Sequence, residues 1–469
     1  MNHPPAFIPH PSYFSPMRII LVKPCWKYPI AGADHTYNRR WPPLELLYCG
    51  AILEAQGHQV SVIDAQAQGL TPAEVAARAG SADAALVTSS ALDRWQCPSL
   101  ELGPVEAVAR ELRGRVAQLW LTGYHGTVRP EVMLQRTGVD VVVRGEPELT
   151  VRDLAAGRAW EEIPGLTFRR HEQIVVTPQR PWLDMADLPV PAFHLIDLKH
   201  YNYEILGPRL MILEGARGCP YACTFCTRAM QGKRLRRKSI EQLGQEVEVA
   251  VGRFGARSIY FIDLEFTACR ELAEGISQYI LDRRISVRWC CQTRCDKVDE
   301  PLLRLMRRAG CRLIHFGIET GSPRIAELMR KEIAFDQQRR GIELARRVGM
   351  EVLGFFLLGY PGETDEEMRQ TVRLARELNP TYASFHRISP YPDTAIYGQC
   401  TAAGEDECEL FPAFAGSPDE RRKVDQLVRD AVWSYYMRPR YMLSRLLHGS
   451  PRSLWQQFRL FLGYFSGPR

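Results

Sequence analysis

The sequence predicts an α/β protein: an N-terminal doubly wound parallel sheet, Rossmann-like in form, then a partial (βα)6 barrel and a helical C-terminal tail. Two runs of alternating strand-like and helix-like segments, separated by a proline-punctuated stretch, carry that prediction. The third observation is the end of the chain, where aromatic and leucine positions interleave with arginines.

The first run reads MRIILV (17 to 22), the helical PLELLYCGAILEAQG, HQVSVIDA (58 to 65), a helix from Thr71, AALVTSS (84 to 90), a helix around VEAVARELRG, AQLWLTG (117 to 123) and VDVVVRG (139 to 145). Five short apolar strands separated by helices imply a parallel sheet covered on both faces. Ligands of such sheets bind beyond the carboxyl ends of the strands, at the switch in strand order, which selects the loops after Val22, Ser89, Gly123 and Gly145. The first of these loops holds Trp26, His35, Arg39, Arg40 and Trp41, the second Leu92, Arg94 and Trp95, and the third Tyr124, His125, Gly126 and Thr127.

A hairpin (GLTFRRHEQIVVTP) and the linker-like DLPVPAFHLID follow. The second run then supplies RLMILEGA (209 to 216), RSIYFID (257 to 263), VRWCCQT (287 to 293), RLIHFGIE (312 to 319), MEVLGFFLLGY (350 to 360) and TYASFHRISPY (381 to 391). Six βα units suggest a barrel of fewer than eight strands, with its site at the strand carboxyl ends. The expected division is a disordered tail at 1–16, the first domain at 17–163, hairpin and linker at 164–208, the barrel at 209–400 and a helical, basic and aromatic region at 401–469.

Composition bounds the rest. The chain has 469 residues and a net charge of +6, and Arg421 to Arg469 contains ten Arg or Lys against two Asp. No run approaches the 18 apolar residues of a membrane span, and the start lacks the basic and apolar regions of a secretion signal, so a cytoplasmic location is expected. Thirteen cysteines without a disulfide framework fit a reducing compartment.

The stretch GARGCPYACTFCTRAM (215 to 230) places Cys219, Cys223 and Cys226 in the loop after the first barrel strand. Three thiols are odd in number for disulfides and one short of a closed zinc site. A cubane iron-sulfur cluster accepts three protein thiolates because its fourth iron can take an external ligand, and thiolates are soft enough to suit iron. Zinc or free thiols remain the alternatives.

RGCPYACTFC resembles the signature of radical S-adenosylmethionine (SAM) enzymes, and the preceding sheet makes the chain similar to their subgroup with an N-terminal cobalamin-binding domain. The resemblance covers nearly the whole chain. It implies that Cys219, Cys223 and Cys226 ligate a 4Fe-4S cluster, that SAM chelates the open iron and is cleaved to a 5'-deoxyadenosyl radical, and that Phe225 contacts the adenine through its backbone. YFIDLEFTACR resembles the family's FxDDxFTxNR, with Leu264 in place of the second Asp; it offers Asp263 and Glu265 for the SAM ammonium. By the same resemblance, Arg294 of QTRCD suits the SAM carboxylate, Glu319 of FGIETG stands near the ribose or methionine, and LGYPGET (358 to 364) is the turn after the next strand.

The DxHxxG cobalamin signature is absent, whereas TGYHGT stands where relatives have GGPHAT and VVVRGEPE resembles their VRGEGE. The resemblance therefore implies cobalamin contacts from Ser89, Ser90, Gly123, His125, Gly126, Thr127, Gly145 and Glu146. Leu92, Arg94 or Trp95 would face the lower side of cobalt. A degenerate sheet that supports substrate binding without corrin is the plainer alternative.

Three other features have bland readings. Cys290, Cys291 and Cys295 are expected to be buried free thiols rather than a second cluster. GKRLRRKS (232 to 239) is a solvated face or helix entry before it is a phosphate site. The tail either docks an amphipathic helix on the barrel or touches a membrane surface peripherally.

The resemblance implies methylation of an unactivated carbon through methylcobalamin, with an apolar small molecule as substrate and a flavodoxin- or ferredoxin-type electron donor. The runner-up within the family is radical oxidation, cyclisation or ring rearrangement without methyl transfer. An RNA methylthiolating enzyme would need three more cysteines in its first domain, where Cys25, Cys49 and Cys97 lie dispersed. No nucleic-acid partner is expected. A non-enzymatic cobalamin sensor would not need the cysteine loop.

Overall fold

The computed structural model describes residues 15–26, 40–91, 101–399, 414 and 416–448. The first sheet holds β1 (Arg18–Lys23), β2 (Gln59–Asp64), β3 (Ala84–Thr88), β4 (Gln118–Thr122) and β5 (Val141–Val143), paired in parallel, with β6 (Leu166–Arg170) and β7 (Gln173–Val176) added antiparallel. Its order is β2-β1-β3-β4-β5-β6-β7. β1 and β3 to β5 are almost wholly buried, as apolar strands covered on both faces must be. The order reverses between β1 and β3, which puts the binding crevice at their carboxyl ends.

The hairpin was expected in the linker, but it belongs to this sheet. β5 pairs with β6 through Val141↔Phe168, Val142↔Thr167 and Val143↔Leu166, so the first domain extends past residue 163. An unpaired β5 would leave a row of backbone donors and acceptors open, and the hairpin closes it.

The helices of the first domain are α1 (Leu44–Ala55), α2 (Ala65–Gln68), α3 (Pro72–Ala79), α4 (Gly103–Leu112), α5 (Tyr124–Val128), α6 (Pro130–Thr137) and α7 (Glu148–Ala155). α3 starts as its sequence suggests, with Thr71 and Glu74 in a reciprocal capping box and proline just inside. α1 is apolar nearly all round because it is buried on two sides. Leu46, Cys49 and Leu53 pack on the first sheet, and Leu44, Leu47 and Tyr48 join the core of the second domain.

All six expected barrel strands form: β8 (Leu210–Leu213), β9 (Ser258–Phe261), β10 (Arg288–Thr293), β11 (Cys311–Glu319), β12 (Glu351–Leu358) and β13 (Tyr382–Arg387), parallel and in chain order. The arc is open, with β8 and β13 at its two edges. Helices α8 (Ile240–Glu248), α9 (Arg270–Asp282), α10 (Glu300–Arg308), α11 (Pro323–Leu328), α12 (Phe335–Arg347) and α13 (Asp365–Leu378) connect the strands.

α14 (Pro418–Tyr436) covers the β13 edge. Val424, Val428, Ala431 and Tyr435 are buried there, and the Tyr436 hydroxyl both accepts from Ala383 N at 3.0 Å and donates to Ala383 O at 2.8 Å. α14 is therefore docked on the barrel. α15 (Pro439–His448) follows and leaves Met442, Leu443, Leu446 and Leu447 exposed. No helix among the described residues is long and apolar enough to cross a membrane.

Candidate functional site

The cysteine loop begins where β8 ends. Ala216 and Arg217 pair antiparallel with Arg237 and Arg236, so residues 218–235 form a closed excursion at the barrel mouth. Gly218 turns the chain into it at φ +93°, where a Cβ would meet the Arg234 carbonyl at 2.1 Å; only glycine fits. Cys219, Cys223 and Cys226 are all half-buried along this one loop. Cys219 N donates to Gly232 O at 3.3 Å, and Thr224 N donates to Met329 O at 3.1 Å. The Thr224 and Tyr360 hydroxyls meet at 2.9 Å, which brings the LGYPGET turn against the loop. Phe225 packs on Ile325, Met329, Tyr360, Ile388 and Ile396.

Burial pushes the Cys219 and Cys223 thiols up, while Arg228 opposes this at both and Lys331 and Arg294 oppose it at Cys223. Three soft donors with cations gathered round them suit an anionic iron-sulfur cluster. Lys331 was not singled out in the sequence. It is 7% exposed and 3.0 Å from Glu319. Burial alone would lower its pKa, but Glu319 and Cys223 raise it. Glu319, Arg330 and Glu332 all take positive φ, at 70°, 51° and 51°, conformations that cluster at functional sites because they need support from their surroundings.

The expected SAM residues divide. Asp263 is buried and faces the root of the loop, accepting from Gly215 N at 2.9 Å and Ala216 N at 2.6 Å. Burial pushes its carboxyl up to about 7. It braces backbone rather than presenting itself to a ligand. Glu265 accepts from Arg294 N at 2.7 Å and from the Thr293 hydroxyl; burial again pushes it up to about 7, and its charge reaches Cys219 and Tyr221.

Arg294 departs from expectation. Its guanidinium donates to Asp296 twice, at 2.9 and 3.2 Å, and to the Lys331 and Glu332 carbonyls at 2.9 and 3.2 Å. It also stacks over Tyr221 at 4.0 Å. With the fork engaged in this way, Arg294 works as a clamp between the cysteine loop and the 331–332 turn. Lys331 is the cation that stands with Glu319 beside Cys223.

At the first sheet, Leu92, Arg94 and Trp95 lie outside the described residues, as do His35 and Arg39. The Ser89 and Thr122 hydroxyl oxygens, side by side at the ends of β3 and β4, are buried without a partner among the described residues. Ser89 N donates to Thr122 O at 2.8 Å. Gly123, at φ +102°, keeps this floor open: a Cβ there would meet the Ser90 and Ser89 hydroxyls at 2.6 and 2.7 Å. Unspent hydroxyls beside a glycine gap fit an amide-rimmed ligand such as a corrin.

TGYHGT forms the short helix α5 rather than a loop. His125 is fully buried, its Nδ1 3.2 Å from Ser89 O, and Gly126 sits where a Cβ would strike Val142. The Thr127 hydroxyl donates to Gly123 O at 2.9 Å and accepts from Gly145 N at 2.9 Å. Ser90 supports the turn, its hydroxyl accepting from Tyr124 N at 3.2 Å.

The Glu146 carboxylate accepts from Arg217 at 2.9 Å, from Arg236 at 2.9 and 3.0 Å, and from Leu183 N at 3.0 Å, so its side chain joins the domains, and a cofactor contact at this residue would fall to its backbone. The basic run is a helix entry with a solvated face, as expected: Lys233, Arg234 and Arg237 are exposed and Ser239 caps α8. Lys238 is its one buried cation, 1% exposed and paired with Glu246 at 2.7 Å. Cys290, Cys291 and Cys295 are buried as expected.

Inside the arc, Tyr260, His315 and Phe355 project from β9, β11 and β12. The His315 ring is held by Tyr260 OH at 2.8 Å and Tyr203 OH at 3.2 Å, with Phe355 at 5.7 Å. Residues 351, 353, 355 and 357 of β12 alternate as its half-exposed face, of which Leu353, Phe355 and Leu357 give the lumen an apolar wall.

Two family models match the chain: the B12 binding domain over residues 32–155 and the radical SAM superfamily over residues 213–375, together more than half its length. An uncharacterized methyltransferase, PH0819 of Pyrococcus horikoshii, is 29% identical over 454 residues, 92% of this chain and 96% of the relative. The anaerobic magnesium-protoporphyrin IX monomethyl ester cyclase of Rubrivivax gelatinosus is 26% identical over 412 residues, 84% of this chain and 71% of the relative. Among solved structures, the radical SAM methyltransferase TsrM from Kitasatospora setae, with cobalamin and a 4Fe-4S cluster bound, has a TM-score of 0.67 at 21% identity, covering 84% of this chain and 80% of that one. This last likeness is one of fold.

Proposed function

We propose that this chain, which belongs to the radical SAM enzymes with an N-terminal B12-binding domain, transfers a methyl group to an unactivated carbon of a small apolar substrate. The observation that carries the reading is the meeting of the two carboxyl edges: loops after β4 and β5 of the first sheet touch loops after β8 and β13 of the barrel. A carbon held there lies between two cofactor sites, which is what a two-cofactor transfer requires.

When bound, the cluster and SAM supply a 5'-deoxyadenosyl radical and cobalamin supplies a transferable methyl group. In this reading Cys219, Cys223 and Cys226 hold the iron, and Lys331 and Arg228 offset the added negative charge. Glu265 takes the SAM ammonium, Lys331 with Glu319 lies toward the SAM carboxylate and ribose, and Phe225 supports the adenine side. Ser89, Ser90, Thr122 and Gly123 receive the corrin rim. Phe355 and its β12 neighbours exclude water from the lumen, which protects a reactive intermediate from stray hydrogen donors. A flavodoxin- or ferredoxin-type protein delivers the electron.

Ring closure without methyl transfer is the second reading, supported by the cyclase. The methyltransferase reading is favoured because PH0819 is 29% identical with both chains spanned almost completely, whereas the cyclase is 26% identical over a smaller share of each. The test is anaerobic reconstitution with iron, sulfide and hydroxocobalamin, then metal analysis and SAM product assay. Roughly four irons per chain with stoichiometric cobalt, release of 5'-deoxyadenosine and S-adenosylhomocysteine, and loss of iron in Cys223→Ala would support it. Deoxyadenosine without S-adenosylhomocysteine would point to ring closure, and iron without cobalt would remove the methyl carrier.

A further inference from the structure

The cysteine loop is fastened to the first domain on both sides of its cysteines. Before Cys219, the fully buried Arg217 reaches Glu146 at 2.9 Å and Glu148 at 2.7 Å, both from the end of β5, and Glu214 at 2.6 Å. After Cys226, one carboxylate oxygen of Asp393 accepts from the Thr227 hydroxyl at 2.7 Å and from the backbone N–H groups of Arg228 and Ala229 at 3.0 and 3.1 Å. The other oxygen accepts from the Tyr124 hydroxyl at 3.0 Å. Tyr124 follows directly on Gly123, the residue that opens the hydroxyl-lined floor of the first sheet. Tyr391 stacks edge-on against Tyr124 at 5.9 Å, and Met230 lies in the first domain's core, its sulfur 3.0 Å from the Thr127 hydroxyl.

A loop tied at one end pivots, whereas one tied at both ends keeps its distance and its tilt. The Arg217 bonds are charge-assisted and closed off from solvent, the kind that fix geometry most firmly; Asp393 is an exposed residue, and it holds by the number of its bonds, three to the loop through one oxygen and one to Tyr124 through the other. None of them consumes a cysteine, and the chemistry of the loop is left free.

We propose that Arg217 and Asp393 are positioning residues that hold the cysteine loop at one separation and orientation from the carboxyl edge of the first sheet, so that iron on the loop and a corrin on the sheet share a fixed relative geometry. This rests on the functional reading above. It goes beyond that reading by assigning the alignment of the two cofactors to specific ion and hydrogen-bond contacts that touch neither.

The experiment measures the alignment itself. Full-length protein is loaded with cluster and cobalamin, reduced so that each centre carries one unpaired electron, and examined by pulsed electron paramagnetic resonance for the magnetic coupling between them. Wild type should show one narrow coupling. Tyr124→Phe, which removes one hydroxyl and leaves every bond within the loop, and Asp393→Asn should each broaden or split it while iron and cobalt contents stay at the wild-type level. Arg217→Lys, which keeps the charge and loses the fork, should do the same. Couplings that superimpose on wild type in fully loaded variants would overturn the proposal and leave the functional reading intact. If Asp393→Asn fails to retain iron, Tyr124→Phe decides. Wild-type chain that takes up neither cofactor would overturn the functional reading and the proposal with it.

Discussion

Arg217 Nη2 lies 2.7 Å from Glu148 Oε1, and neither side chain is exposed to solvent. Around the same guanidinium stand Glu146 and Glu214. Glu146 also pairs with Arg236, but Glu148 and Glu214 tolerate so complete a burial only while the Arg217 cation is present. Arg217→Met should therefore cost about 3–5 kcal/mol of unfolding free energy, measured by urea denaturation of the cofactor-free chain. A loss under about 1 kcal/mol, the range of exposed pairs, would mean that the cluster is hydrated and weak.

Gly218→Ala should act more locally. Its Cβ would meet the Arg234 carbonyl at 2.1 Å, and its φ of +93° is strained for alanine. The cost of the backbone strain alone is about 1–2 kcal/mol, and the contact forces the loop open. Iron uptake on anaerobic reconstitution should fall sharply while circular dichroism stays native. Full iron loading would show that the turn is not needed to close the loop.

The buried Thr122 hydroxyl, without a partner among the described residues, should separate stability from binding. Thr122→Val keeps the shape and removes an unsatisfied polar group, so the cofactor-free chain should be as stable as wild type or gain about 1 kcal/mol. Cobalamin affinity, read by absorbance titration, should fall. If stability drops by more than that and affinity is unchanged, the hydroxyl serves the fold and not a ligand.

Glu363 provides a pH dependence. Its Oε2 accepts from Gly359 N at 2.7 Å and Tyr360 N at 3.0 Å, its Oε1 is buried without a partner among the described residues, and burial pushes the carboxyl from 4.5 up to about 7. A carboxyl that holds its proton more tightly when folded adds stability that is complete below about pH 4.5 and is lost as pH rises to about 7. Glu363→Gln keeps the acceptor and cannot ionise. It should flatten melting temperature against pH in that window and exceed wild type above pH 7 by on the order of 2 kcal/mol. Parallel curves would show that Glu363 titrates as an ordinary surface acid.

Each barrel strand was legible because it is a short apolar run bounded by turns, and the cysteines because a spacing of three and two residues has few uses. The hairpin at 166–176 was recognised, but its partner was not, since nothing local in β5 says that its outer edge is open. Arg294 carried a familiar motif, yet which acceptors claim it depends on the 331–332 turn, 37 and 38 residues away. Asp296, two residues on, was the one local sign. Lys331 and the ion pairs of the Glu146 side chain were missed for the same reason. Their roles depend on charges at Glu319, Cys223, Arg217 and Arg236 that only the fold brings near.

The bond between Tyr124 and Asp393 spans 269 residues, and it imposes an order of events during biogenesis. A chain still being synthesised exposes the three thiols long before residue 393 exists to close the loop behind them. Contacts of such sequence separation form late, so a nascent chain can present its thiols, but only a finished and released one can fix them at their distance from the first sheet.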